Sequence, residues 1–405
     1  MKKLTIAIST ILATGFSAHA LAVDNTSYIN VSGGSSSALV TQLSLGDDGG
    51  NVSNASVTAG YNNHALVFQA GSASTSNVSI AGGAGNNAFV SQGALGAQNT
   101  ASVNTTNSFG TTSSINQGAS TTEFGLLVNA TSSNTAGITT TNSAAVNSSI
   151  NQGASASSFG FFNGASSNNT AYISTTNSAF VNSTINQSST ASSGFFPEYN
   201  SNSNLASIST DQSIFVSSAI NQNNASDGGM NTAGISVSQS GGVLSTVDQE
   251  GTANTGYINV MNSGGVTSSI DQNGEMNTAG ISLNGALSSS ASIDQYGEGN
   301  EAYISGSGAF NETSILQVGE GNLASATTSG VGNDSLTHQF GEGNISGTNV
   351  SGWFNDAVTV QVGEMNTAYT TVSGVNNTAL TFQNGHDVAN TTVSGWNNLA
   401  VTNQW

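Results

Sequence analysis

The chain has 405 residues, of which 6% are charged, with 49 Gly, one Pro and no Cys, and two Lys stand against 21 Asp and Glu. Without Cys neither disulfides nor thiolate chemistry is available, and with so few cations the chain cannot neutralise the phosphates of nucleic acid or anionic lipid. Low charge combined with 36% hydrophobic residues is also not the composition of a disordered chain.

Residues 1–22 read as an export signal, with Lys2 and Lys3 as its basic start and Leu4 to Phe16 as its apolar stretch. Ala18-His19-Ala20 or Ala20-Leu21-Ala22 supplies the small-residue cleavage site, and the apolar run is too short to span a bilayer. Removing this segment removes both Lys, leaving 0 − 21 = −21 with His neutral. The expected location is therefore secreted and extracellular, with no membrane span in the mature chain.

From residue 23 onward a single repeat array is expected, irregular and long-unit over 23–248 and regular over 249–405. Fifteen glutamines share one local frame: Gln42, Gln69, Gln92, Gln117, Gln152, Gln187, Gln222, Gln249, Gln272, Gln295, Gln317, Gln339, Gln361, Gln383 and Gln404. Two residues before each stands Val, Ile or Thr, and four before each stands Ala, Ser or Thr. Side chains alternate across a pleated strand, so small, β-branched and Gln lie on one face while the intervening positions vary freely. This is a strand.

A second arm with the same alternation precedes each Gln arm, as in Asn300-x-Ala302-x-Ile304 and Asn277-x-Ala279-x-Ile281. In the regular part Asn300 and Asn311, and likewise Asn322 and Asn333, are 11 apart, so a 22-residue unit is two arms of five or six strand residues plus turns. Gly-rich turns such as Gly319-Glu320-Gly321-Asn322 separate them. One such strand–turn–strand unit encloses no core of its own, so the units are expected to stack as the rungs of an all-β solenoid, about 15 rungs in a cross-β, amyloid-like arrangement. Asn25 to Gln42 would form the first rung and Leu380 to Trp405 the last.

Stacking at one strand spacing explains the recurrent amides. At about 4.7–4.9 Å each amide can donate to one copy of itself and accept from another, which satisfies a group that is costly to bury unpaired. The fifteen glutamines and Asn277, Asn300, Asn322, Asn344 and Asn366 are the expected structural ladder.

These residues resemble a known family. Ser314-x-x-Gln317-x-Gly319-x-x-Asn322-x-Ala324 is similar to the curlin repeat, whose core reads Gln-x-Gly-x-x-Asn-x-Ala. The match recurs at Gln272/Gly274/Asn277/Ala279, Gln295/Gly297/Asn300/Ala302 and Gln361/Gly363/Asn366/Ala368. Curlins are secreted bacterial subunits of extracellular amyloid fibres, curli, that serve biofilm matrix, adhesion and surface colonisation. The resemblance implies that role, with the chain itself as main partner in a homopolymer, together with a nucleator subunit and outer-membrane secretion machinery. In the other arm, where curlin repeats usually carry a second Gln, this chain holds Gly306, Thr328, Val350 or Val372.

The acids also fall into columns, Asp248, Asp271 and Asp294 in one and Glu275, Glu298, Glu320, Glu342 and Glu364 in another. They read as a solvated face of gatekeeper charges that slow premature assembly, and alternatively as a cation-binding ladder. No metal or cofactor site is expected. His64, His338 and His386 stand in unrelated contexts, so no catalytic constellation emerges and enzymatic activity is not expected.

Three 35-residue units carry longer connections with apolar side chains: Phe124, Leu126 and Leu127, then Phe159, Phe161 and Phe162, then Phe195 and Phe196. They are expected either to align as one hydrophobic patch or to fold back over the solenoid, and Pro197 lies in such a loop. The rival readings are a monomeric solenoid adhesin and an ice-binding solenoid, the latter raised by Thr139-Thr140-Thr141 and Ser174-Thr175-Thr176.

Overall fold

The computed structural model describes residues 25–43, 50–71, 73–126, 128–161, 163–194, 199–225 and 228–405. The export signal expected at 1–22 lies outside the described residues, as do Leu127, Phe162, Phe195, Phe196 and Pro197 and the side chains of Leu126 and Phe161. The described chain is all strand and turn. Successive strands alternate between two parallel sheets, so each rung contributes one strand to each, the geometry of a β-solenoid.

The chain divides into two compact units, Met1–Asp211 with Asn223–Met230 and Gln212–Gln222 with Asn231–Trp405. In the first unit one sheet runs from Thr26–Gly34 through Val52–Tyr61 and Gln98–Thr106 to Tyr199–Asp211. The other runs from Ser37–Leu43 through Asn87–Leu95 to Ala179–Ser193. In the second unit the first-arm sheet runs from Gly229–Ser238 to Val388–Trp396, and the Gln-arm sheet from Ile214–Asn224 to Leu399–Gln404. Equivalent residues pair: Gln295 lies opposite Gln272 on one side and Gln317 on the other, and Ala302 lies between Ala279 and Ala324.

Between the sheets lies a core one side chain deep from each arm. In one rung Ala302, Ile304, Ile315 and Gln317 are all buried while Tyr303 and Val318 point outward. The alternation is what a two-sheet stack requires, because each strand has one face on the core and one in solvent.

Three features differ from the sequence reading. The regular arms are nine residues long, as in Glu301–Ala309 and Glu312–Glu320, instead of five or six. Pairing continues through the glycines that were assigned to turns. Gly319 has φ +125°, and a Cβ there would stand 2.0 Å from the carbonyl oxygen of Gly341 in the next rung, so the strand runs on through a position only glycine can fill. The true corner is the left-handed residue two places later, Gly321 at φ +61° and its counterparts Met276 at +55° and Met365 at +54°.

The 35-residue units are the second correction. Their described extra residues do not fold back over the solenoid; they prolong both arms, as in Thr112–Leu126, Asn129–Thr141 and Ala144–Phe161, and align in register from rung to rung, Phe124 opposite Phe159. The extension has its own small-residue core of Ala130, Ala156, Ala165 and Ala191, and the exposed rings of Phe124 and Phe159 stack at 5.3 Å and 7°. Third, the final rung is Val388–Trp396 with Leu399–Gln404, and Leu380 belongs to the preceding strand Thr378–Gly385, where it pairs with Val358 and Val401.

Candidate functional site: amide ladders and outward columns

Gln317 shows the basic unit. Its Nε2 donates to Gln339 Oε1 at 2.8 Å and to the backbone oxygens of Glu301 and Asn322 at 3.0 and 2.9 Å, and its Oε1 accepts from Gln295 Nε2 at 2.8 Å. The same bond, always from one Gln to the next along the chain, runs from Gln42 through Gln69, Gln92, Gln117 and Gln152 to Gln187 in the first unit. It runs from Gln222 through Gln249, Gln272, Gln295, Gln317, Gln339, Gln361 and Gln383 to Gln404 in the second, every distance between 2.7 and 2.9 Å. Charge-free amides thus fill the core without leaving a donor idle.

The asparagines form ladders of the opposite polarity. Asn322 Nδ2 donates back to Asn300 Oδ1 at 2.9 Å, Asn344 to Asn322 at 3.0 Å and Asn366 to Asn344 at 2.9 Å, with Asn300 donating to Asn277 at 3.1 Å. Gln-to-Gln bonds therefore run toward the later rung and Asn-to-Asn bonds toward the earlier one, while the same Asn Nδ2 groups also donate to a glycine carbonyl of the later rung, as Asn322 does to Gly341 O at 2.8 Å. Sequence spacing carries no information on that direction. A second Asn column, Asn311, Asn333, Asn355, Asn377 and Asn398, bonds in the same way at the other corner at 3.0–3.3 Å. Its 11-residue offset from the first column was its only signal. In the first unit Asn99, Asn134, Asn169 and Asn204 continue the pattern at 2.9–3.1 Å. Most regular-part Asn also close their own corner, as Asn355 does by donating to Ser351 O at 2.8 Å and Asn377 to Ser373 O at 2.9 Å.

A third column went unread in the sequence. Thr359, Thr370, Thr381 and Thr391, all buried, and the half-buried Thr402 form a zigzag of hydroxyls alternating between the two sheets, 2.7–3.2 Å apart. Threonine's methyl and β-branch suited it equally to the Ile and Val positions it shares with Ile304 and Ile315, so periodicity alone could not separate packing from hydrogen bonding.

The acids stand outside. Asp248, Asp271 and Asp294 are in register on one outward column, and Glu275, Glu298, Glu320, Glu342 and Glu364 in register along one exposed corner. Partial burial, and secondarily the carboxylate below in the same column, raises the pKa of Asp271 (from Asp248) and of Asp294 (from Asp271). Asp334 and Asp356, on another column, are also raised, chiefly by burial. Among the described residues no group of three or more His, Asp or Glu is placed to hold a metal ion. His64 is half-buried and bonds Ser37 Oγ at 2.7 Å and Asn62 Oδ1 at 3.2 Å. His338 lies edge-on to Phe340 at 6.1 Å, and burial lowers its pKa.

The exposed tyrosines have a packing role: Tyr303 lies over Gly280, Tyr369 over Gly347 and Tyr172 over Gly137, each ring about 3 Å from where a Cβ would stand. Such cross-strand cover protects the backbone of a glycine in a sheet.

Compared with known proteins, the chain matches no family model and no curated protein.

Proposed function

We propose that this chain is a secreted structural subunit that polymerises into an extracellular, curlin-like functional amyloid fibre serving biofilm matrix and adhesion. The observation that carries the reading is the in-register ladder. Every rung's buried amides are completed by an identical rung, so an equivalent rung from another chain completes them as well as one from the same chain. Among the described residues Gln42 spends its Nε2 on Gln69, Thr26 and Asn51 and keeps its Oε1 without a donor. Gln404 donates to Val388 O and has a second N–H to give. Donor and acceptor thus match head to tail, and the strand edges of Leu399–Gln404 and Ser37–Leu43 add backbone hydrogen bonds by β-augmentation. A nucleating subunit and outer-membrane secretion machinery belong to the same proposal, as does the absence of catalysis.

The test is to dilute the chain from denaturant and follow thioflavin fluorescence, electron microscopy and fibre diffraction on one sample. Seedable fibres with a meridional reflection near 4.7–4.8 Å support the proposal. A stable, soluble, β-rich monomer overturns it and moves the monomeric adhesin and ice-binding readings to the front.

A further inference from the structure

The outward face of the Gln arms changes character along the second unit. Over the rungs of Gln249, Gln272 and Gln295 it carries Asp248, Glu250, Asp271 and Asp294. Over the next four rungs the same columns hold no carboxylate. Leu336, His338 and Phe340 lie in register with Val358, Val360 and Val362. Leu316 precedes His338 in the central column and Phe382 follows Val360. Val318, Val362 and Phe382 are 36%, 42% and 38% exposed. With burial holding the imidazole's pKa low, this face is uncharged at neutral pH.

Its dimensions follow from strand geometry. Three columns at two-residue spacing and four rungs at about 4.8 Å make a flat strip of roughly 400 Å² with side-chain breadth included. Interrupted by Ser314 and Asn384 at opposite corners and His338 within it, the strip matches the largest apolar patch of a typical single chain, a kind of patch that is often functional, and is about half of one side of a standard interface. Carboxylate columns border it: Glu312, Asp334 and Asp356 along one edge, Glu320, Glu342 and Glu364 along the other.

We propose that a second copy of this chain seats on this strip, sheet face to sheet face. Two observations select that occupant. Side-chain rows here repeat at one strand spacing, and only a partner with the same pitch keeps every row in a groove across four rungs; another copy has it by construction. The chain also has 21 acids and only two Lys, at positions 2 and 3, so copies repel wherever acids face each other, and this strip lacks them. The bordering carboxylates make pairing salt-dependent, because their repulsion is felt over about 30 Å at 10 mM salt and only a few ångströms near 1 M. Self-pairing through the strip therefore strengthens with salt, whereas a basic partner held by the same acids weakens. The inference does not rest on fibre formation: in a fibre it bundles filaments side by side, and in a monomer it makes a dimer.

The experiment is sedimentation velocity of freshly diluted chain, with fibre width by electron microscopy if fibres form, at 10 mM and 500 mM NaCl. Lateral association is expected to rise roughly tenfold with salt. Val360→Lys, on the outward central column, is expected to abolish it while thioflavin lag time and fibre length stay at wild-type values; Val360→Thr, which keeps the β-branch, is expected to reduce it. Association that falls with salt, that survives Val360→Lys, or that is lost instead with Phe68→Lys in the first unit, where Leu66, Phe68 and Phe89 are exposed on the outward face of the Gln arms, overturns the proposal. Loss of fibre growth itself would bear on the function proposed above and leave the sedimentation result to decide this one.

Discussion

Replacing Gln317 by glutamate exchanges one amide nitrogen for oxygen and tests the ladder at its centre. In the native rung that nitrogen faces three acceptors, Gln339 Oε1, Glu301 O and Asn322 O, at 2.8, 3.0 and 2.9 Å. An ionised carboxylate there keeps the bond from Gln295 but orphans Gln339 Oε1 and sets an oxygen against two carbonyls. At about 1–3 kcal/mol for each buried group left unpaired, and more for a charge, the variant should lose about 3–6 kcal/mol. Protonation returns one O–H donor and about half of that loss. The substituted carboxyl is buried among acceptors, so its folded pKa lies above the unfolded value of about 4.3. The stability it recovers is then fully present below pH ~4.3 and lost as pH rises through the folded pKa. Guanidinium unfolding midpoints of wild type and Gln317→Glu at pH 7 and pH 4 measure this, with Ser325→Glu on the exposed face as control. A variant as stable as wild type at pH 7, or a deficit that does not shrink at pH 4, refutes the ladder as a source of stability.

Three further outcomes are expected. Gly319→Ala should destabilise by more than about 3 kcal/mol, since its Cβ would stand 2.0 Å from Gly341 O; Gly321→Asn at φ +61°, with open space around it, should change the same midpoint by less than about 1 kcal/mol. The raised pKa values of Asp271 and Asp294 come from burial first and the neighbouring Asp second, so the fold should gain stability as pH falls from 7 toward 4. Converting Asp248, Asp271 and Asp294 to Asn should shrink that gain in a pH series of melts to the part that Asp334 and Asp356 supply, and the column itself should tolerate the change, because Asn151 and Asn186 already bond on it in the first unit at 2.9 Å. Thr370→Val alone should cost about 1–2 kcal/mol by stranding Thr359 and Thr381, while changing all five zigzag threonines to Val together should be close to neutral in the same denaturation assay.

Much of this molecule is local repetition, and local repetition is legible. The two-residue alternation around each Gln determines a strand and its buried face; equal spacing between copies determines register, because a slip of one residue would turn every Gln outward. Composition determined the charge that any partner must face. What sequence left open depends on relations across space. The direction of amide donation is a choice of side-chain rotation that each rung inherits from its neighbour. The second Asn column and the Thr zigzag need the angle between the two arms of a rung, which no single strand encodes. Pairing runs through Gly319 because a carbonyl of the next rung occupies the place of its Cβ, and the long units became longer arms because two copies of each extension could pair with one another. The apolar strip around Val360 exists only once four separated segments are stacked at one strand spacing. Periodicity within a segment is held in the chain, whereas the phase between segments is decided by packing.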